Sequence, residues 1–290
     1  MKIKVKNLTK KYQDNYALNN VSFTLDEPKI YGLLGRNGAG KTTFMDILAG
    51  NILPTEGSIL INGDEPFDHE QLMSSICLIK EGNNFDKELK IKNIFKIYSY
   101  FYPNWDMALA HELAKKYNLN LNLKIKALSK GMESAVSIIV GLASKAPITI
   151  FDEPYIGLDA AARKKFYNIL VEEYEKQPRM IIFSTHLIDE VSLLFEEIII
   201  FRDGELVLQE NTESLREKIC AVSGPVERVE TFIEHKQVIH QEQLAGMMLV
   251  YVFADRKRAK EAGLSVEGVP IQELMIYLTE EEGVKHAITN

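Results

Sequence analysis

Gly35-Arg36-Asn37-Gly38-Ala39-Gly40-Lys41-Thr42-Thr43 is the stretch on which the reading of this chain turns. It fits the pattern G-x-x-x-x-G-K-[ST], in which glycines let the backbone close around an anion and aim N–H groups inward. The residues before it, Lys29-Ile30-Tyr31-Gly32-Leu33-Leu34, read as a buried strand. Those after it, 43–49, read as a helix with apolar positions at 44, 45, 47 and 48. Strand, glycine loop and helix in that order are the context the motif needs. The helix points its positive end at bound phosphate. Lys41 then reaches the β and γ phosphates, and the Thr42 hydroxyl can ligate Mg²⁺. The competing reading, a glycine-rich turn with a chance lysine, would make the flanking pattern a coincidence. The chain is read as binding a nucleoside triphosphate.

The 290 residues suffice for one large domain plus a small one, and a composition 46% hydrophobic and 26% charged can build a core. A net charge of −7 gives no sign of a general affinity for nucleic acid or anionic membrane. No window reaches the ~18 uninterrupted apolar residues of a membrane span; the best candidate, 136–151, carries Lys145 and Pro147. The start, Met1-Lys2-Ile3-Lys4-Val5-Lys6, alternates charged and apolar residues without a signal-peptide core and reads as an edge strand. Cys77 and Cys220 lie far apart without metal-ligand spacing, so both read as reduced and structural. The expected location is cytoplasmic, with any membrane role supplied by a partner.

Period-two patterns mark strands at 21–25 and 57–63, the latter closing on Asn62-Gly63. Ile91, Ile94, Phe95, Tyr98 and Phe101 fall at helical spacing until Pro103, and a second helix over 106–117 carries Leu109, Leu113 and Ala114. Phe95, Tyr98 and Phe101 are expected in the core, with Tyr100, Tyr102 or Trp105 as candidates for exposure. The runs 148–151 and 180–184 are continuous apolar stretches interrupted only by Thr149 and ending on Ser184, as central strands of a parallel sheet can be. A strand at 197–201 and its return at 206–208 follow. After about residue 210 a charged linker or helix leads to a tail with a strand at 247–253 and an amphipathic helix at 271–278.

Four further elements narrow the chemistry. Asp152-Glu153-Pro154 ends an apolar strand, so Asp152 can hold the magnesium shell while Glu153 orients or deprotonates a water. Leu128-Ser129-Lys130-Gly131-Met132 precedes a helix, and Gly157-Leu158-Asp159 follows the two acids. Ser184-Thr185-His186 puts a histidine at a strand's carboxyl end, where open α/β sheets bind ligands.

In this order and spacing the set resembles the nucleotide-binding subunits of ATP-binding cassette (ABC) transporters. The resemblance covers about residues 1–210. It implies an α/β fold of ABC-type P-loop ATPase, with a mixed sheet, a helical subdomain at about 82–145 and a small C-terminal α/β appendage at 211–290. It implies that Tyr12 stacks on adenine and that Gly35, Arg36, Asn37, Gly38, Ala39, Gly40, Lys41, Thr42 and Thr43 hold the phosphates. Asp152 then matches the Mg²⁺ carboxylate, Glu153 the catalytic base and His186 the γ-phosphate switch. Ser129 and Gly131 match the signature segment and Asp159 the inter-subunit loop. Two ATPase subunits, identical or close paralogues, would face each other head to tail. A polytopic membrane subunit would convert ATP hydrolysis into transport, leaving this chain peripheral on the inner face of the membrane. No nucleic-acid partner is implied.

Two positions depart from the family pattern. Lys130 and Met132 stand where the signature commonly has Gly and Gln, and Glu81 stands where a Gln usually senses Mg²⁺ and water. Lys130 reads either as a cation near the γ-phosphate or as a solvated lysine, and Glu81 as a metal ligand. Such departures, in this resemblance, point to bacterial exporters of peptides or antimicrobial compounds, with an appearance similar to the staphylococcal exporters of amphipathic peptide toxins. The other classes weighed are a soluble ABC ATPase acting on ribosomes or DNA and a non-hydrolysing regulatory module. A single cassette without sustained heptads between Lys41 and Ser129 opposes the first, and Glu153 with His186 opposes the second. The tail's apolar faces read as too small for a core of their own; the tail reads as dispensable for chemistry but not for assembly, packed on a twin in a second chain, on its own cassette or on a regulatory partner.

Overall fold

Strands apolar at every position need cover on both faces, and a computed structural model, which describes residues 1–279, gives them that cover. The chain begins β1 (Ile3–Tyr12), β2 (Asn15–Leu25), β3 (Ile30–Leu34), α1 (Lys41–Leu48), β4 (Glu56–Ile61), α2 (Glu70–Met73) and β5 (Ile76–Ile79). It continues α3 (Ile91–Phe101), α4 (Met107–Lys116), α5 (Lys130–Ala143), β6 (Ile148–Asp152), α6 (Ala160–Lys176), β7 (Met180–Ser184), α7 (Ile188–Val191), β8 (Glu197–Arg202) and β9 (Glu205–Asn211).

A six-stranded sheet of order β5-β6-β7-β3-β8-β9 is parallel except for β9. One face contributes Tyr31, Leu33, Ile148, Ile150, Met180 and Ile182 to a core shared with α1 and the small sheet β2-β1-β4. The other face contributes Ile30, Leu34, Phe151, Ile181 and Phe183 to a core shared with helices α3 to α6. With both faces walled by hydrocarbon, charged groups emerge where the strands end. The glycine loop after β3, Asp152 at the end of β6 and Ser184 at the end of β7 therefore share one carboxyl edge, with Asp152 and Ser184 in register.

Two local expectations are corrected. β1 is the centre of its sheet, paired with β2 and β4, and not an edge. Its alternation reports burial of Ile3 and Val5 on one face, which carries no information about the number of neighbours. Phe101 is 64% exposed while Phe95 is buried. Helix α3 ends at Phe101, so the last turn runs past the core it was read as facing.

The tail holds α8 (Thr212–Lys218), β10 (Ile219–Pro225), α9 (Val226–Ile233), β11 (Val238–Leu244), β12 (Met247–Phe253), α10 (Arg256–Glu261), β13 (Ser265–Gly268) and α11 (Ile271–Thr279). Its antiparallel sheet, order β11-β12-β10-β13, buries Cys220, Val222, Val250 and Val252 against Val229 and Phe232 of α9, so it does have a core of its own. The opposite face carries Ala221, Ile239 and Tyr251 into the cassette's core, with Ile271, Leu274 and Leu278 of α11 between. α11 touches α7 and β8 of the cassette and β11 of the tail. The tail thus packs on its own cassette, one of the resting places expected for it. Cutting the chain near Leu215 would uncover Ile188, Val191, Ile198 and Ile200, which argues against a harmless truncation.

Leu274→Ala is expected to lower the unfolding free energy by about 2–5 kcal/mol, the usual cost of a buried leucine truncation. Urea unfolding checks this; an unchanged midpoint would mean that α11 does not fasten the tail.

Candidate active site

Gly35 and Gly40 are required for two reasons at once. Their φ angles are +146° and +100°, and a Cβ would stand 2.4 Å from the Phe201 carbonyl oxygen in the first case and 2.3 Å from that of Ala17 in the second. The loop is thereby pressed against neighbouring backbone, and Gly40 begins α1 with no side-chain cap. The first N–H groups of that helix are left for an external acceptor. Lys41 folds back over the loop, its Nζ donating to the carbonyls of Gly35 at 2.6 Å and Arg36 at 3.1 Å.

A cleft of about 560 Å³ opens above this loop. Tyr12, Asn37, Gly38, Ala39, Gly40, Lys41, Thr42, Thr43, Glu81, Asp152 and Glu153 all line it, from six separate stretches of chain that include Ala17 and Ser184. Tyr12 is 49% exposed, with Nζ of Lys10 at 5.2 Å from its ring centre, so a planar ligand can reach its face. Thr42 donates to Oδ2 of Asp152 at 3.0 Å. Burial holds the Asp152 carboxyl above its ordinary range, against the Thr42 hydroxyl and the Lys41 charge. Burial likewise pulls Lys41 down, against Glu153 and Asp152. A hard cation on Thr42 and Asp152 would offset the cost of that desolvated carboxylate, and both donors are oxygens of the kind Mg²⁺ takes.

Glu153 stands just past β6 at φ 50°, a conformation that costs a non-glycine residue energy and gathers at functional sites. Its Oε2 lies 2.8 Å from Nδ1 of His186. The sequence reading missed Tyr155, whose buried hydroxyl donates to the same oxygen. A hydroxyl-bearing aromatic two residues after the acid was the available signal.

Six candidates do not line this cleft: Gly35 and Arg36, which start the loop, His186, which meets it only through Glu153, and Ser129, Gly131 and Asp159. Ser129 caps α5, accepting from the Met132 N–H at 3.3 Å, and Asp159 caps α6, accepting from the Ala162 N–H at 2.8 Å. Gly131 packs against the loop before Asp159; a Cβ there would stand 2.5 Å from the Gly157 carbonyl oxygen. Lys130 reaches from α5 to Glu81, Nζ to Oε1 3.3 Å, so the two departures from the family pattern are paired within one chain. Among the described residues no cluster of three His, Cys, Asp or Glu could hold a metal by itself, so Mg²⁺ here would need oxygens from the bound phosphates.

The Asp152 shift has a stability consequence. A carboxyl held above its unfolded range favours the protonated folded chain, so its ionised form destabilises the fold at neutral pH, and that cost fades as the pH falls through the raised range. Asp152→Asn is expected to raise the ligand-free unfolding midpoint at pH 7.5 by about 2–4 °C, the equivalent of about 1 kcal/mol. The gain should shrink by pH 5; calorimetry at both values checks it, and a lower midpoint at pH 7.5 would refute it.

The ABC transporter family model matches residues 18–156. An uncharacterised ABC transporter ATP-binding protein of Methanocaldococcus jannaschii is 32% identical over 230 residues, covering 76% of this chain and 82% of that protein. The ABC transporter ATP-binding protein YtrB of Bacillus subtilis is 28% identical over 220 residues, 76% of this chain and 75% of its own. Among solved structures, an ATP-binding cassette seen as a dimer with ADP and phosphate in a post-hydrolysis state superposes with TM-score 0.64 at 28% identity, covering 72% of this chain and 98% of that one. No helix among the described residues is long and apolar enough to cross a membrane. The chain belongs to the ATP-binding subunits of ABC transporters and is an ATPase of that family.

Proposed function

We propose that two copies of this chain, or this chain and a close paralogue, close head to tail around two ATP molecules and drive a polytopic membrane subunit that exports peptides or antimicrobial compounds. One observation carries the dimer: the cleft gathers Tyr12, loop residues 37–43, Asp152 and Glu153, while Ser129, Gly131 and Asp159 stand outside it on capped helix ends. A site so divided is completed by the signature face of a second chain.

In this reading Tyr12 stacks on adenine, worth about 1–3 kcal/mol. The triphosphate lies on the loop, and Lys41 exchanges the carbonyls of Gly35 and Arg36 for phosphate oxygens. Thr42 and Asp152 would hold Mg²⁺, which when bound neutralises phosphate charge, with Glu81 contributing from the facing wall. Glu153 accepts a proton from water as the water oxygen bonds to the γ-phosphorus. The bond from that phosphorus to the β–γ bridging oxygen breaks, leaving ADP and phosphate. His186 holds the γ-phosphate, and the partner chain's signature segment and Asp159 loop close over it. The segment 211–290 is assigned as an accessory domain on the cassette 1–210, its last residues lying outside the described ones.

For the membrane subunit, a groove of about 1010 Å³ between α3 and β5 exposes Tyr100 and Phe101 beside Leu78 and Ile97. Exposed aromatics of this kind suit a partner helix. The export assignment rests on Glu81, Lys130 and Met132, the departures that point to peptide and antibiotic exporters.

Glu153→Gln is expected to retain ATP binding, trap a closed dimer in light scattering and cut turnover about 10²–10⁴-fold, the range of a general base. Hydrolysis within a few-fold of wild type would remove Glu153 from the role. Lys41→Ala should lose nucleotide affinity by calorimetry, and unchanged binding would sink its assignment. Glu81→Gln should weaken the Mg²⁺ dependence of ATP binding; superimposable titrations would exclude a metal role.

A further inference from the structure

The Tyr155 hydroxyl sits inside a directed relay that ends on Glu153. Leu187 donates its N–H to Thr185 Oγ1 at 2.9 Å, and Thr185 Oγ1 lies 2.6 Å from Tyr155 Oη. Tyr155 gives its single proton to Oε2 of Glu153, so the Thr185 hydroxyl must be the donor in their contact. The His186 N–H also donates to Tyr155 Oη, at 3.3 Å. His186 Nδ1 meets the same Oε2 at 2.8 Å, while Oε1 accepts no hydrogen bond among the described residues.

We propose that Tyr155 is a positioning residue for hydrolysis: with His186 it occupies Oε2 of Glu153, leaving Oε1 as the oxygen that takes the proton from the attacking water. This rests on the reading of Glu153 as the base. The tyrosine is fixed for the task, since its ring is buried and stacks on Phe183 with centroids 6.3 Å apart and planes 16° apart. A carboxylate pivots about a soft terminal torsion, and a donor locked by packing removes that freedom before the substrate arrives. Burial, reinforced by the Glu153 bond, pushes the phenol well above its ordinary range, so it stays a donor throughout the working pH range. The water's O–H bond breaks toward Oε1, the new O–P bond forms, and the leaving electron pair stays on ADP. The phenolic proton never transfers. Through Thr185 and the His186 N–H, the same hydroxyl ties the carboxylate to the loop that carries the histidine.

Tyr155→Phe keeps the stacked ring and deletes only the hydroxyl. Expected in the purified full-length ATPase are a kcat about 10- to 100-fold lower, the worth of one hydrogen bond to a charged group, a KM for ATP within about twofold and an unchanged unfolding midpoint. Thr185→Val, one bond upstream, should lose a smaller part of kcat. In a double-mutant cycle the Tyr155→Phe loss should vanish in the Glu153→Gln background. A Tyr155→Phe kcat within twofold of wild type, beside an inactive Glu153→Gln, overturns the proposal and leaves the base intact. Losses that multiply, or a loss carried by KM, overturn it as well. An active Glu153→Gln removes the base and the proposal together.

Discussion

Desolvation at the carboxyl edge of a doubly covered sheet is the constraint that the rest of the molecule serves. The strands β3, β6 and β7 are buried along their whole length, so the first charges they can carry come at or just beyond their ends. There Lys41 and Asp152 are buried enough to be pulled toward their neutral forms, each opposed by the other's charge. Such a pair is costly in the ligand-free chain and would become favourable if phosphate oxygens and a cation replaced the missing water.

Helix ends divide the labour. α4, α5 and α6 spend their first N–H groups on Asp106, Ser129 and Asp159, whereas α1 begins on Gly40 and keeps its own. The uncapped end lies at the bottom of the cleft and the capped ends stand away from it. Residues in the Ser129 and Asp159 loops press on one another through Gly131 and Gly157, so they form one face. The bidentate pair of Arg163 with Glu190, at 2.9 and 2.7 Å, ties the Asp159 helix to the short helix behind His186.

The tail is attached by packing and not by a hinge. Its sheet closes one core with α9 and lends its other face, through α11, to the core that runs beneath the parallel sheet. The tail and the cassette thus share one core, although no described tail residue lines the nucleotide cleft.

The glycine loop with its strand and helix, the acids ending an apolar run and the histidine two residues past Ser184 were legible because each is local: chemistry, spacing and flanking period lie within a few residues. The alternation of β1 was equally visible, yet its central place in the sheet depended on partners at 15–25 and 56–61, and pairing leaves no mark on one strand's own pattern. The tail's core escaped notice for the same reason, since β10, β12 and α9 bury one another only after distant segments meet. Tyr155 was passed over because a tyrosine's partners are set by packing. What the sequence determined by itself is the local order of glycine loop, strand-ending acids and histidine. Only the tertiary structure decided that Tyr155 and His186 converge on one oxygen of Glu153 with Thr185 behind the tyrosine, because hydrogen bonds between residues 30 positions apart exist only once two buried strands lie side by side.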